Sequence, residues 1–327
     1  MIKKVNWAIL GAGKISRTFV NDLKLLSNTN VVAVASKDLQ KAKQFAYDFN
    51  IKYYYDSYND MVKNDEIDVV YIGTTHNFHY ENMLLCIENN KAVLCEKPFT
   101  VNSKEALQVI SRAKEKNVFV MEAMWSRYTP AYKKIREIIE SGLIGDIKFL
   151  YADFGFEAPD DPQHRAFNPT LAGGSLLDVG IYPISFAYWI YKKNPIIIET
   201  LANIGKTGVD EDAGIIFKYD DGAMAMLSSS VRVHTQKEAI VIGKKGSIRI
   251  HSPFFHSRRM SINIGDTITD YYFDYPGLGY HFEAEHVMQC LREGKKESEI
   301  LTLNETLEIM KTLDVIRNKW GMKYPFE

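Results

Sequence analysis

The run Gly11-Ala12-Gly13-Lys14-Ile15-Ser16 constrains this chain more than any other feature. It follows a β-branched, apolar stretch, Val5–Leu10, and opens a helical pattern that continues to Leu26. Glycines at this junction make a G-x-G-x-x-S form of the dinucleotide fingerprint. Gly11 would turn the chain tightly. Gly13, flanked by Ala12, Lys14 and Ile15, would let the backbone approach a pyrophosphate. A helix N-terminus suits that anion through its N–H groups and dipole. Ser16 replaces the third glycine and is small enough for close helix packing. The alternative is a tight turn in an α/β protein that binds no nucleotide.

The pattern after the turn supports the fingerprint. Strand-like runs at Val31–Ala35, Lys52–Tyr55, Val69–Gly73, Ala92–Cys95 and Val118–Met121 alternate with helical runs. The helical runs are Leu39–Phe49, Asp60–Lys63, Glu81–Asn89 and Lys104–Lys116. Such alternation implies parallel βαβ units. The texture changes after about Trp125. A helix at Pro130–Glu140 precedes strands at Ile147–Phe156, Ile196–Asn203, Gly214–Tyr219, Ala223–Ser229, Glu238–Gly243 and Ser247–His251. Hairpin signals such as Asp220-Asp221-Gly222 make these antiparallel. Helices at Val179–Tyr191, Phe282–Arg292 and Asn304–Lys319 complete the set. The fold class is therefore α/β: a Rossmann doubly wound parallel sheet at 1–125, then an α+β domain at 126–327 with a large, mostly antiparallel open sheet.

Composition limits the partners. A chain of 327 residues, 46% hydrophobic, has material for two cores. Its net charge of −1 argues against nucleic acid or an anionic membrane as main partner. The three cysteines, Cys86, Cys95 and Cys290, form no Cys-x-x-Cys pair. That argues against a disulfide framework or a cysteine zinc site and fits a reducing, cytoplasmic setting. Met1 to Val5 runs straight into a strand pattern with no secretory signal expected, and no run approaches the ~18 apolar residues of a membrane span.

Four further stretches carry chemistry. The second strand ends in Ala35-Ser36-Lys37 where NAD binding would favour an acid. Ser36 and Lys37 suit a 2′-phosphate, so NADP(H) is expected over NAD(H); the alternative is a solvated lysine at a helix start. Thr74-Thr75-His76-Asn77-Phe78-His79 follows a strand at the sheet edge where doubly wound folds bind ligands. Asn77 reads there as a helix N-cap. His76 and His79 lack further ligands in sequence, so no metal is expected. In Cys95-Glu96-Lys97-Pro98, Lys97 stands at the same edge and could lower the pKa of a neighbouring acid–base group. In Gly173-Gly174-Ser175-Leu176-Leu177-Asp178-Val179-Gly180-Ile181-Tyr182, Asp178 and Tyr182 are at helical spacing. A carboxylate beside a phenol, with a lysine opposite, suits proton removal from an alcohol. The same spacing also suits a capped helix with Tyr182 as a core ring.

Together with Met121–Arg127, Gly279–Glu283 and Cys290–Gly294, these motifs run in a known order over nearly the whole chain. The sequence resembles the Gfo/Idh/MocA oxidoreductase family, closest in pattern to the dimeric dihydrodiol dehydrogenase and NADP-linked aldose dehydrogenase branch. The resemblance implies that Lys97 is the active-site lysine and that Asp178 orients substrate. Many members carry histidine where this chain has Tyr182. The branch implies Tyr182 as general acid/base, with Lys97 lowering its pKa. It also implies Trp125 and Arg127 near the nicotinamide or substrate, with Arg165, Phe167 and Tyr280 around the pocket. Glu96 belongs with the cofactor residues. A secondary alcohol on a sugar, polyol or trans-diol is the expected substrate, and a homodimer through the C-terminal sheet the expected assembly. Relatives of the same fold include redox-neutral NAD-dependent glycosidases and non-catalytic dinucleotide or sugar sensors, which stand as the alternatives.

Overall fold

The structure, a computed structural model, describes residues 4–327. The expectation for Met1–Lys3 lies outside the described residues. The chain divides into two compact units. Among the described residues, one comprises 4–128 and 275–307; the other comprises 129–274 and 308–327.

In the first unit the strands are β1 (Val5–Leu10), β2 (Thr29–Ala35), β3 (Tyr53–Tyr55), β4 (Val69–Ile72), β5 (Ala92–Glu96) and β6 (Val120–Ala123). All pair in parallel in the order 3-2-1-4-5-6. The intervening helices are α1 (Lys14–Leu23), α2 (Leu39–Phe49), α3 (Tyr58–Val62), α4 (His79–Glu88) and α5 (Ser103–Lys116). Every residue of β4, β5 and β6 is buried, as expected where helices cover both faces. Under α1, Phe19 stacks on Tyr71 at 3.8 Å, with Trp7 at 5.4 Å from Phe19.

The return of residues 275–307 to this unit departs from a single cut at 125/126. Asp22 on α1 explains it. Its carboxylate accepts the backbone N–H groups of Leu278, Gly279 and Tyr280 at the start of α8 (Tyr280–Arg292). Burial pushes this carboxyl up, but His281 and those N–H groups more than offset it and hold it below its usual value. The N–H of Val120 on β6 donates to Lys296 O. The chain leaves this unit again within α9 (Leu303–Lys319).

The second unit holds α6 (Pro130–Glu140), β7 (Ile147–Gly155), α7 (Ile181–Tyr191) and then β8 (Ile197–Ile204), β9 (Asp210–Lys218), β10 (Met224–Ser230), β11 (Ala239–Gly243) and β12 (Ser247–Ile250). Two further strands, β13 (Arg259–Ile264) and β14 (Thr267–Tyr272), extend the sheet beyond the expected set. Their signal is readable: Met260, Ile262 and Ile264 alternate up to the turn Gly265-Asp266. The order is 14-13-12-11-7-10-9-8. Pairing is antiparallel except between β10 and β7, which lie far apart in sequence and run parallel. Inward residues of β9, such as Ala213, Ile215 and Phe217, alternate with exposed ones. The helix α7, buried along nearly its whole length, packs on β7 and β10.

Candidate functional site

The glycine turn of the first unit takes its shape from three contacts. Gly11 has φ +100°, and a Cβ there would come within 3.0 Å of Gly73 O. Ser16 is buried, and its hydroxyl donates to Gly11 O at 2.5 Å. It also fills the space beside Gly73, where a Cβ would collide with its oxygen. Gly13 differs. Its φ is −85°, its N-cap position receives no side-chain hydrogen bond, and an added Cβ would meet nothing nearer than Gly73 O at 3.8 Å. Nothing in this turn requires a glycine at 13, and the first turn of α1 carries no acid. A donor-rich helix start with open space at Gly13 fits a pyrophosphate held by Gly11–Ile15.

After β2, the Asp38 carboxylate caps α2 by accepting Gln40 N at 3.0 Å and Lys41 N at 3.2 Å. Ser36 Oγ accepts Asp38 N at 3.3 Å, and the Lys37 ammonium lies 4.3 Å from the centre of the Phe78 ring. Asp38 is therefore engaged locally, while Lys37 is exposed.

The expected N-cap at Asn77 is not formed. Residues His76–Phe78 make a 3-10 turn, and α4 starts at His79 with Phe78 in the capping place. Asn77 Oδ1 instead accepts the Thr75 hydroxyl at 2.8 Å, and Thr74 Oγ1 accepts from Asn82. His79 is buried between two carbonyls, Pro98 O at 2.8 Å from Nδ1 and Thr74 O at 3.1 Å from Nε2. Burial lowers its pKa to about 4, so the ring is neutral and donates to one of them. Both nitrogens face carbonyl oxygens, so His76 and His79 do not make a metal pair.

His79 thus ties the Thr74 loop to the segment carrying Lys97. Glu96, buried at the end of β5, accepts the Tyr71 hydroxyl at 2.6 Å and Lys97 N at 3.3 Å. On the neighbouring strand, Glu122 accepts Phe99 N and the Thr306 hydroxyl, each at 3.1 Å. Burial pushes the Glu122 carboxyl up to about 7. Lys97 itself is half-buried. Trp125 stacks on Tyr280, 4.2 Å between ring centres, so these two expected pocket residues meet. Arg127 does something else. Its side chain is buried and pairs with Glu305 at 2.8 Å, so it braces the 3-10 turn Trp125–Tyr128.

In the second unit, Asp178 sits in a π turn, Leu176–Gly180, ahead of α7. The wider turn replaces the regular helical spacing expected between Asp178 and Tyr182. Asp178 is nevertheless buried against Arg165, 2.8 Å from Oδ2 to Nη1. That guanidinium also feels the Tyr182 hydroxyl, and both raise its pKa, Asp178 more strongly. The guanidinium thus contacts the carboxylate and lies within electrostatic reach of the phenol. The Tyr182 ring lies 5.3 Å from Phe154 and 5.1 Å from Phe255, which stack on each other at 4.3 Å. Phe167, expected at the pocket, is instead packed with Ala158, Ala166 and Val231. The Arg232 guanidinium covers its ring at 4.3 Å while bonding both oxygens of Glu211 at 2.6 Å.

Asp210 was not among the expected site residues, although it organises this turn. Its Oδ2 accepts Leu176 N at 2.6 Å and the Ser175 hydroxyl at 2.8 Å. Burial pushes its carboxyl up to about 7. Gly174, at φ +117°, has no room for a Cβ beside Asp210, and a Cβ on Gly173 would stand 2.7 Å from Arg165 O. The available signal was an acidic triplet, Asp210-Glu211-Asp212, opening an apolar strand.

Comparison with known proteins agrees with this architecture. Residues 5–124 match the model of an oxidoreductase family with an NAD-binding Rossmann fold, and residues 132–249 match the GFO/IDH/MocA C-terminal domain. The chain belongs to the Gfo/Idh/MocA oxidoreductase family. It is 37% identical to a trans-1,2-dihydrobenzene-1,2-diol dehydrogenase of Xenopus tropicalis, over 98% of this chain and 99% of that one. Among solved structures, a 3-ketoreductase from Actinomadura kijaniata in complex with NADP and TDP-benzene superposes with a TM-score of 0.85 at 20% identity, covering 97% and 98% of the two chains. A levoglucosan dehydrogenase in complex with NADH and levoglucosan gives 0.89 at 17% identity, covering 98% and 97%. The chain is a nicotinamide-dinucleotide oxidoreductase. No helix among the described residues is long and apolar enough to cross a membrane.

Proposed function

We propose that this enzyme uses NADP(H) to interconvert a secondary alcohol and a ketone on a sugar, a polyol or a trans-dihydrodiol. The contact of Arg165 with Asp178, within electrostatic reach of Tyr182, carries the proposal, in a chain whose relatives include trans-diol dehydrogenases. Gly11, Ala12, Gly13, Lys14 and Ile15 hold the pyrophosphate, and Ser36 and Lys37 hold the 2′-phosphate. Thr74, Thr75, His76, Asn77, Glu96 and Trp125 shape the rest of the cofactor site. His79 and Arg127 act as positioning residues, through the Thr74 and Pro98 carbonyls and through Glu305. The dinucleotide, when bound, accepts or returns the hydride. Asp178, held by Arg165, fixes a substrate hydroxyl. Tyr182 takes the hydroxyl proton, and Lys97 favours the phenolate by its charge. Tyr280 lines the pocket beside Trp125, while Phe167, packed with Ala158, Ala166 and Val231, supports the Arg165 segment within the second unit.

Positioned acid–base groups contribute about 10²–10⁴-fold. Tyr182→Phe and Lys97→Met should each lose turnover of that order on a trans-diol and aldose panel while still binding cofactor. Turnover near that of the wild type in either variant would remove the assignment.

The assembly proposed is a homodimer across the open face of the second unit's sheet. Ile240, Tyr151, Met226 and Ile216 sit side by side on β11, β7, β10 and β9 and line one shallow apolar groove. Leu201, 83% exposed, lines it too. Apolar patches of this kind mark interfaces. Leu201→Glu with Met226→Glu should turn a dimer into a monomer in light scattering; a monomeric wild type refutes the dimer. Cytoplasmic residence is proposed from Cys86, Cys95 and Cys290, all free thiols.

A further inference from the structure

Outside the residues assigned above, α8 and the loop that follows it bring together three side chains with no role in the proposed reaction. His286 and Cys290 stand one turn apart on α8, with Nε2 and Sγ 3.4 Å apart. Glu299 comes from the loop beyond the helix, and the donor atoms of all three lie within 4.8 Å of one another. We propose that His286, Cys290 and Glu299 form a binding site for a zinc-class divalent metal.

The donor set selects the metal. A thiol and an imidazole suit borderline-soft ions, whereas calcium and magnesium take oxygen donors. Zinc binds sulfur at about 2.3 Å and nitrogen at about 2.0–2.1 Å, which in a tetrahedral arrangement separates those donors by about 3.6 Å. The distance present, 3.4 Å, needs little adjustment. His286 and Cys290 are buried and Glu299 is exposed, so the site has a path to solvent and a side where water completes the coordination. As the metal–sulfur bond forms, the thiol proton passes to solvent.

The neighbours permit the exchange. Ser298 Oγ, 2.8 Å from His286 Nε2, would yield that nitrogen to the metal. It would retain its bonds from Ile300 N at 3.0 Å and Leu301 N at 3.3 Å. Glu299 is paired with Lys295 at 3.1 Å, and Lys295 keeps a second partner, Glu293, at 2.8 Å. The Tyr128 ring lies 5.0 Å from the His286 ring, and its hydroxyl is 3.2 Å from Ser298 Oγ. Tyr128 ends the turn that bears Trp125, so the metal would brace α8 and that turn together.

The test uses the untagged full-length protein after chelator treatment. Cobalt(II) should bind one to one and give the ultraviolet thiolate-to-cobalt band with the visible bands of a four-coordinate ion, and zinc should displace it. Cys290→Ser should abolish the ultraviolet band. Glu299→Gln, an exposed change that leaves the core untouched, should weaken zinc by roughly tenfold or more. Glu293→Gln should keep affinity within roughly twofold. Circular dichroism confirms that each variant is folded. No thiolate band at millimolar cobalt, or a zinc affinity unmoved by both Cys290→Ser and Glu299→Gln, overturns the site.

Discussion

The two glycine turns of this enzyme look alike in sequence and answer to different neighbours. In Gly11–Ser16, one glycine serves the chain's own backbone and the other stands beside open space. In Gly173–Tyr182, the first two glycines, Gly173 and Gly174, make room for groups of the protein itself, Arg165 O and the buried Asp210 carboxylate. The first turn leaves room beside Gly13, the place proposed above for the pyrophosphate. The second is shaped by an internal scaffold, which sets Asp178 and Tyr182 beside Arg165. A glycine motif therefore says that something approaches closely, and the folded surroundings decide whether that is the chain's own backbone or side chains.

The largest effect that separates the two turns is on stability. Gly174→Ala forces a side chain into a left-handed conformation and against Asp210, which should cost about 2–4 kcal/mol. Thermal unfolding would show it as a lowered midpoint. An unchanged midpoint would mean that the turn adapts freely, and the contrast with Gly13 would lose its meaning.

The next test sets one buried acid from each unit against the other. Glu122 and Asp210 both have carboxyls pushed up to about 7 by burial. An acid whose pKa is raised on folding favours the folded state at low pH. That contribution is complete below the unfolded value near 4 and is lost as pH rises to about 7. Each acid should add a stability loss of up to about 1.4 kcal/mol per pH unit across that window. Glu122→Gln and Asp210→Asn should each flatten the profile, measured as urea midpoints from pH 4 to pH 8. A profile unaltered by both would show that neither acid is protonated in the folded protein at pH 5.

Gly13→Ala should have the opposite signature to Gly174→Ala. Alanine accepts φ −85° and meets no neighbour, so stability should change by less than about 1 kcal/mol. Dinucleotide affinity should fall by roughly tenfold or more, about 1.4 kcal/mol or more. Wild-type affinity in this variant would mean that the open space is incidental.

Much of this was legible before the coordinates. Fully apolar runs such as Val69–Ile72 reveal strands buried on both faces, and Asp220-Asp221-Gly222 reveals a hairpin, because both signals are local. What escaped is long-range. The parallel pairing of β7 with β10 has no local signature. Nor does the capture of the Leu278–Tyr280 backbone by Asp22, which returns residues 275–307 to the first unit. The site residues divide in the same way. Asp178 and Arg165 meet, and Trp125 stacks on Tyr280. Arg127 and Phe167 have the residue types of a pocket, but Glu305 and the Ala158 cluster take them. Partner choice among buried polar and aromatic groups is settled by tertiary packing, to which residue type and spacing are blind.

The smallest effect concerns which dinucleotide the first turn receives. Asp38 is the acid nearest the end of β2, and two backbone N–H groups of α2 already hold its carboxylate. A ribose 2′-hydroxyl would have to compete with that cap at Oδ1, or with the Lys41 ammonium 3.7 Å from Oδ2. Lys37, exposed with its ammonium over the Phe78 ring, would give up only that weak cation–π contact to meet a 2′-phosphate. Calorimetric titration of the cofactor-free protein should therefore show NADPH bound roughly tenfold more tightly than NADH, a difference of about 1.4 kcal/mol. Lys37→Glu should erase most of that ratio by weakening NADPH and leave NADH nearly unchanged, since only the phosphate meets the altered charge. Equal affinities in the wild type, or a Lys37→Glu variant that keeps its NADPH affinity, would remove Lys37 as the phosphate residue and with it the basis for an NADP(H) preference.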